Sequence, residues 1–213
     1  MAISILNRNP KANLALSRRF ANLSLDRPLI MGIVNVTPDS FTDGGDFFDA
    51  DAAIKHGLQL LQEGADILDI GGESTRPGAT PVTSDEEAER VLPVITELAK
   101  TGTLISIDSR HADVMGKALA AGASILNDVT ALEGEGSLDV AAQSSAPVIL
   151  MHMKGQPATM MDDPSYEDVV SEVSDYLAQR IEICLAAGIA KERIAIDPGF
   201  GFGKTHEHNV ELL

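Results

Sequence analysis

The sequence predicts an α/β fold, and within that class a TIM-type (β/α)8 barrel of which about six units are present. Short apolar runs alternate with amphipathic helix patterns from Leu29 onward, and each run is followed by polar or glycine residues or by a Met-His pair. Runs that are apolar at successive positions are typical of parallel strands covered on both faces. The predicted strands are Leu29–Val34, Ile67–Ile70, Leu104–Ile107, Ser124–Leu126, Val148–Leu150 and Ile194–Ile196.

The residues that follow the strands favour the barrel over the other fold with this order of elements. A doubly wound sheet also alternates strands and helices. It gathers its ligand contacts at one switch point, whereas a barrel brings the carboxyl end of every strand to one mouth. All six runs are followed by residues that can contact a ligand, so we expect one mouth lined by all of them.

Composition limits the class of protein and its partners. Hydrophobic residues make up 44% of the 213 residues, which is enough for a packed core. The formal net charge of −16 repels nucleic acid and anionic membranes, so we expect small-molecule substrates. The single cysteine, Cys184, lies on the apolar side of a predicted helix and fits a reducing, cytoplasmic compartment. No apolar run approaches the ~20 residues of a membrane span.

The chain divides into a short N-terminal segment and one barrel domain. Residues 1–25 contain basic but no acidic side chains, and we interpret them as a surface arm with a short hairpin rather than a transit peptide. Residues 26–213 form the barrel domain. Within it, Ser84 and Glu87 predict a capping box at one helix start, and Ser165 predicts the N-cap of another helix.

Two loops that follow the first and second strands are dense in hydrogen-bonding groups. The first runs from Asn35 to Phe41 as Asn-Val-Thr-Pro-Asp-Ser-Phe. The second begins at Gly71 and ends at Gly78, and its paired glycines let a ligand approach the backbone. It also contains Arg76, whose planar guanidinium suits phosphate. Ordinary turns are the alternative, but the length and glycines of the second loop favour a binding site.

Carboxylate and amide side chains follow three of the strands. Asp108 follows the third, Asn127 and Asp128 follow the fourth, and Asp197 follows the sixth. A carboxylate accepts two N–H groups side by side, and an amide both donates and accepts, so the set could grip the edge of a heterocycle. Helix capping would explain any one of them. Their recurrence at successive strand ends favours a binding site.

Two further segments add apolar surface near the same strand ends. Met151 is a plausible apolar floor, and we expect His152 beside it to be structural rather than catalytic. The segment Asp197–Lys204 reads Asp-Pro-Gly-Phe-Gly-Phe-Gly-Lys, and its phenylalanines suggest walls for a flat ring. Its end imitates a phosphate-binding P-loop, but Pro198 stands where that motif needs glycine.

Taken together, these segments resemble the motifs of the dihydropteroate synthase family, in the same order, from about residue 25 onward. Members of that family are (β/α) barrels and sulfonamide targets. They join 4-aminobenzoate to 6-hydroxymethyl-7,8-dihydropterin diphosphate, giving 7,8-dihydropteroate and pyrophosphate in folate synthesis. The matching segments are Asn35–Phe41, Gly72–Gly78, Ile107–Ser109, Asn127–Asp128, Leu150–Met153 and Asp197–Lys204.

The resemblance implies a role for each candidate side chain. The pterin would be held by Asp108, Asn127 and Asp197, with Met151 and Phe202 around it, and Lys204 would belong to the substrate site. The aminobenzoate would be bordered by Thr75, Pro77 and Phe41. Asn35 would bind the Mg²⁺ that accompanies the diphosphate, and Arg76 would contact the diphosphate itself. Asp197 would favour a cationic intermediate. Asn35, Arg76 and Asp197 would therefore be the catalytic residues. The family also implies a homodimer.

The chain stops before the last two strand–helix units of the family, which would supply a pterin-binding lysine, diphosphate-binding arginine and histidine, and much of the dimer surface. We therefore expect residues 1–213 alone to be neither stably closed nor catalytically competent. One alternative is a non-catalytic pterin-binding remnant, which would bind without turnover. Another is a methyltetrahydrofolate-dependent corrinoid methyltransferase on a related barrel, which would not need the two long loops with Arg76.

Overall fold

The computed structural model describes residues 19–37, 50–75, 79–157, 159–162 and 164–213. In this part of the chain a small hairpin precedes strands and helices that alternate. The hairpin consists of β1 (Arg19–Phe20) and β2 (Leu23–Ser24), which pair antiparallel. The elements that follow are β3 (Met31–Asn35), α1 (Ala50–Gln62), β4 (Ile67–Gly71), α2 (Ser84–Leu98), β5 (Leu104–Asp108), α3 (Ala112–Ala121), β6 (Ile125–Asp128), α4 (Ser137–Gln143), β7 (Val148–Met151), α5 (Val169–Ala186), β8 (Ile194–Asp197) and α6 (His206–Leu212).

Strands β3 to β8 form a parallel sheet in which each strand lies beside its neighbour in sequence. A doubly wound sheet would reverse this order at a switch point. The Asn127 side chain of β6 also reaches across β5 to contact Asp69 of β4, with 3.1 Å between Nδ2 and Oδ2. The sheet therefore curves around its inner face, and the barrel prediction is confirmed for the described units.

The outer face of the sheet is covered by helices. Alternate strand residues such as Leu68, Ile70 and Ile107 are fully buried there in one apolar cluster with α1, α2 and α3. Helix α1 comes so close that a Cβ on its Gly57 would lie 2.7 Å from Leu98 of α2. Burial of each large aliphatic side chain stabilises the fold by about 1.5–3 kcal/mol, so this cluster is the main source of stability.

Every sheet strand continues beyond its predicted end to include the residue that was assigned to a loop. The ladders include Asn35, Asp108, Asn127, Met151 and Asp197. The prediction ended each strand where apolar character stopped, but backbone pairing does not depend on the side chain. The candidate residues are therefore held by strand geometry, which is more rigid than a loop.

Two helix starts differ from the prediction. The capping box of α2 consists of Thr83 and Glu86, one residue before the predicted pair, and the N-cap of α5 is Asp168 instead of Ser165. Both alternatives carry the same side-chain chemistry, so sequence alone could not choose between them. The shift matters for α2, because it leaves Glu87 buried and able to contact His111. Cys184 is buried as predicted.

The two outer strands of the described sheet, β3 and β8, carry exposed apolar side chains. Ile33 is 49% exposed and Ile196 is 53% exposed.

The predicted hairpin position agrees with β1 and β2, whereas residues 1–18 of the predicted arm lie outside the described residues. Among the described helices, none is both long and apolar enough to cross a membrane.

Candidate active site at the carboxyl ends of the strands

A row of inward-facing residues crosses the sheet at its carboxyl end. Asn35 of β3 is level with Gly71 of β4, Gly71 is level with Asp108 of β5, and Asp108 is level with Asn127 of β6. Successive strand residues point to opposite faces, so these positions share the face away from the helices. The structure therefore brings three predicted residues together: the candidate metal ligand and two candidate pterin contacts.

Met151 of β7 and Asp197 of β8 extend this row further toward the mouth. The two are paired with each other, while Asn127 is level with Ile149, two residues before Met151. This stagger is expected where strands tilt to close a barrel. Met151 is 4% exposed and Asp197 is half-buried. Met151 therefore lies beside the Asp197 carboxylate, and its role as an apolar floor stays a prediction.

The Asp108 carboxyl is available to a ligand. It is half-buried and makes no side-chain hydrogen bond within the described residues. Burial raises the pKa of Asp108 well above its ordinary value, and repulsion from nearby carboxylates, first Asp69 and then Asp128, raises it further. A carboxyl in such surroundings favours a ligand that brings N–H donors or positive charge.

Asp69 of β4 belongs to this inner face, although the sequence analysis did not single it out. It is 4% exposed, and its Oδ2 accepts a hydrogen bond from Asn127 Nδ2. Burial raises the pKa of Asp69 to about 6, against the opposing effects of the Ser106 hydroxyl and of this hydrogen bond from Asn127. The signal was present in the sequence, because Asp69 is an acidic residue inside the apolar run Ile67–Ile70.

Asp128, which was grouped with Asn127, lies on the opposite face. Its Oδ1 accepts hydrogen bonds from the backbone N–H and hydroxyl of Thr130, each at 2.7 Å, and its Oδ2 accepts from the N–H of Leu132 at 3.0 Å. The residue is fully buried. Asp128 therefore holds the turn after β6, which is the capping role that the sequence analysis considered for any single member of the set.

The loop after β8 is packed tightly against the end of β7. The N–H of Gly199 donates to Asp197 Oδ1 at 2.7 Å, which ties the start of the loop to the strand end. Gly199 and Gly203 have φ values of 68° and 63°, and a Cβ on either would clash with the carbonyl oxygen of His152 or Lys154. Only glycine permits this path.

Lys204 ends this loop and is buried, with 1% of its surface exposed. Its Nζ donates to the carbonyl oxygens of Gly199 at 2.9 Å, Phe202 at 3.0 Å and His152 at 3.3 Å, and it lies 2.9 Å from His152 Nδ1. These contacts use all of its donors within the protein. Lys204 was predicted to bind substrate, but the structure shows it holding the loop that carries Asp197 and Phe202.

His152 is structural in this arrangement. Because the Lys204 ammonium only donates, Nδ1 of His152 accepts, and the proton of the neutral ring lies on Nε2. Burial and the nearby Lys204 charge lower the pKa of His152 to about 4, so the ring stays neutral at physiological pH. The edge of the ring also packs against Tyr176, with 5.0 Å between ring centroids.

Replacing Lys204 by methionine should lower the free energy of unfolding by about 1–2 kcal/mol, because the carbonyl groups of Gly199, Phe202 and His152 each lose a hydrogen bond. Chemical denaturation measures this change. Lys100→Met is the matched control, since Lys100 is exposed and, among the described residues, its ammonium group pairs with Glu97 one helical turn away. Equal stability of the two variants would show that the Lys204 contacts contribute nothing to the folded state.

The base of the second loop is held by two acid–base pairs. Arg110 Nε and Nη2 donate to the two carboxylate oxygens of Glu73 at 2.7 Å and 2.8 Å. Burial alone would raise the pKa of Glu73, but the hydrogen bonds and charge of Arg110, the N–H of Val82 and the nearby His111 together outweigh it and lower that pKa. His111 Nδ1 lies 2.6 Å from Glu87 Oε2. The first pair ties Glu73, two residues before Thr75, to the loop after β5, and the second joins the starts of α2 and α3.

Of the predicted substrate contacts on the first and second loops, the structure describes Thr75. Thr75 is half-buried at the mouth. Arg76 and Pro77 of the second loop, and Phe41 of the first loop, lie outside the described residues. Their roles therefore stay predictions from the resemblance.

The basic side chains that the structure describes on the rim loops are engaged with protein groups. Arg110 binds Glu73, Lys154 lies 3.4 Å from Glu172, and Arg90 of the neighbouring helix α2 donates to the carbonyl of Gly72 at 2.9 Å. Lys204 is buried, as described above. An anionic ligand at this mouth therefore depends on groups beyond these, of which Arg76 is the predicted one.

Asn35 is the predicted metal ligand, and its environment suits a shared metal site. The residue is exposed at the end of β3. The described residues contain no group of three or more His, Cys, Asp or Glu side chains placed to hold a metal ion. Mg²⁺ takes oxygen ligands, and near phosphates it commonly has one or two from the protein and the rest from phosphate and water. One amide oxygen fits such a site.

Comparison with known proteins agrees with this geometry. Residues 31–213 match the family model described as "Pterin binding enzyme". A dihydropteroate synthase of Neisseria meningitidis serogroup C is 54% identical over 90% of this chain and 69% of its own length. The Xanthomonas albilineans dihydropteroate synthase with 4-aminobenzoic acid has a TM-score of 0.83 at 55% identity, over 89% of this chain and 68% of that chain. The Yersinia pestis dihydropteroate synthase with a sulfonamide drug has a TM-score of 0.84 at 47% identity, over 89% and 70%.

Proposed function

The chain belongs to the family of pterin-binding enzymes, and we propose that it catalyses the dihydropteroate synthase reaction. In this reaction 4-aminobenzoate displaces pyrophosphate from 6-hydroxymethyl-7,8-dihydropterin diphosphate, and 7,8-dihydropteroate forms for folate biosynthesis. The observation that carries the proposal is the inward row of Asp108 and Asn127, which continues to Asp197 at one mouth. The identity with dihydropteroate synthases over most of the chain supports it.

The row supplies the groups that a pterin ring requires. The open carboxyl of Asp108 accepts two adjacent N–H groups, and the Asn127 amide offers a donor and an acceptor. Met151 provides an apolar surface for the flat ring, and the half-buried Phe202 lies on the neighbouring loop. Matching buried polar groups on the protein and the ligand gives strong selectivity, because an unmatched group would stay unpaired.

The bond changes explain why this mouth is acidic inside and needs a cation at its rim. The C–O bond between the pterin CH₂ group and the diphosphate breaks, and the arylamine nitrogen forms the new C–N bond and loses a proton to solvent. Positive charge that develops on the pterin side is favoured by Asp108 and Asp197. The negative charge of the leaving pyrophosphate is stabilised by Arg76.

We propose that the Asn35 amide oxygen would help to hold a Mg²⁺ ion that accompanies the diphosphate. When bound, the ion neutralises part of the charge on the leaving group. This part of the proposal is supported by the exposure of Asn35 at the mouth and by the charge of −16, which otherwise disfavours a diphosphate.

The same membership supports further proposals about the protein in its cell. The relatives lead us to propose that sulfonamides compete for the 4-aminobenzoate site, since a related enzyme is known in complex with such a drug. The family resemblance leads us to propose a homodimer. The buried, unpaired Cys184 and the strong negative charge support a cytoplasmic protein without nucleic-acid or membrane partners.

Purified full-length protein given the pterin diphosphate and 4-aminobenzoate should release pyrophosphate and 7,8-dihydropteroate in equal amounts, and only with Mg²⁺ present. Chromatography of the product together with a pyrophosphate assay measures both. Absence of product with bound pterin would support the remnant instead. Methyl transfer from methyltetrahydrofolate would support the methyltransferase. Full turnover in excess chelator would remove only the metal from the proposal.

A further inference from the structure

A layer of buried polar groups lies one pleat below the proposed pterin contacts. Asp69 of β4 and Ser106 of β5 are level with each other, two residues before Gly71 and Asp108. Asp69 is 4% exposed and Ser106 is fully buried. Within the described residues, neither Asp69 Oδ1 nor Ser106 Oγ makes a hydrogen bond of normal geometry, although the Ser106 hydroxyl lies close enough to lower the pKa of Asp69. Burial of the Asp69 carboxylate is unfavourable even with these neighbours, since its pKa is still raised to about 6, so stability does not explain why Asp69 is there.

The hydrogen bond between Asp69 and Asn127 fixes the orientation of an amide. An ionised carboxylate only accepts, so the nitrogen of the Asn127 amide must face Asp69 and its oxygen must face away. Without this partner the amide could rotate by about 180° and exchange its donor and acceptor. In the described residues no other hydrogen bond of the Asn127 side chain opposes that rotation.

We propose that Asp69 is a positioning residue for pterin recognition, which fixes the Asn127 amide so that the ring always meets the same arrangement of N–H and C=O. The proposal rests on the proposed function, because it takes the pterin ring as the ligand of Asn127. Asp69 acts through Asn127 and has no contact with the ligand itself. A reversed amide would set donor against donor and acceptor against acceptor along the ring edge, which weakens binding.

The ionisation of Asp69 acts against the folded state, which separates this role from a structural one. Burial raises its pKa from 3.8 to about 6, so the stability linked to this group is present at low pH and is lost as the pH rises through about 6. Asp108 is the titratable group that faces it from β5, and the two carboxylates repel each other. Asp69→Leu should therefore keep or raise the melting temperature at pH 8.

A double-mutant cycle in the full-length protein tests the inference, with 7,8-dihydropteroate as the probe and calorimetry as the measurement. Asp69→Leu should weaken binding about tenfold, the effect of one net hydrogen bond. In an Asn127→Ala background the same change should alter the affinity by less than about twofold, because the amide that Asp69 orients is absent. Asp69→Asn keeps one acceptor and should lose less than Asp69→Leu.

The outcomes separate the inference from the proposed function. If the unmodified protein does not bind 7,8-dihydropteroate, the proposed function fails. If it binds but Asp69→Leu loses equal affinity in both backgrounds, Asp69 does not act through Asn127 and the inference is wrong. A melting temperature at pH 8 that falls together with the affinity would also overturn it, because that result indicates a structural role.

Discussion

Arg76→Ala should lower turnover of the full-length protein about 10²–10³-fold, the effect of removing one group that stabilises developing negative charge. The structure adds a physical reason to the resemblance for assigning Arg76 to the diphosphate. The described cations of the rim loops are engaged with protein groups, as for Arg110 with Glu73, and the inner face carries several carboxylates. The expected loss is in kcat, since pyrophosphate gains charge as its bond to carbon breaks.

Steady-state pyrophosphate release measures the Arg76 effect. The turnover of Arg76→Lys should fall between that of Arg76→Ala and that of the unmodified protein, because lysine keeps the charge but not the two-pronged geometry. Arg27→Ala is the matched control, since Arg27 is 62% exposed and pairs with Asp66 before the start of β4, at the opposite end of the sheet. Turnover of Arg76→Ala within about threefold of the unmodified protein would remove Arg76 from the diphosphate site.

Asp108→Ala should weaken pterin binding by about 2–3 kcal/mol, which is roughly 30–150-fold, through loss of hydrogen bonds to a charged partner. The carboxyl is open to a ligand and is surrounded by other acids, so N–H donors of a ring are its natural partners. Calorimetry with 7,8-dihydropteroate measures the change.

Asp128→Asn is the matched control for Asp108→Ala, because Asp128 is also an acidic strand-end residue but faces the other way. It holds the turn at Thr130 and Leu132 and should lower the melting temperature while leaving the affinity unchanged. Affinity that falls for Asp128→Asn and not for Asp108→Ala would reverse the assignment of the two residues.

The difference between these two aspartates shows where sequence reasoning reached its limit. Both follow an apolar run, and the sequence placed both at a strand end. Whether such a residue points into the barrel depends on the strand's alternation, which a run apolar on both faces does not reveal. Only the register, with Asp108 level with Asn127, assigned Asp108 to the inner face and left Asp128 on the outer one.

Lys204 and Glu87 show the same limit for long side chains. The sequence placed both residues near the correct element, but the partners of Lys204 come from two loops and the partner of Glu87 comes from the next unit. Contacts between residues 24 and 52 positions apart follow from packing and cannot be read from local spacing. Asp69 was overlooked for a related reason, since its meaning depends on a residue two strands away.

The sequence by itself determined the alternation of strands and helices, the barrel class and the strand ends at which the candidate site residues lie. These follow from local patterns of apolar and polar residues, which report burial directly. The tertiary structure decided which of those residues face inward, which pair with each other and which make all of their hydrogen bonds within the protein. Those properties depend on strand register, the pleat and helix packing, and they are set when distant segments bury their apolar faces together.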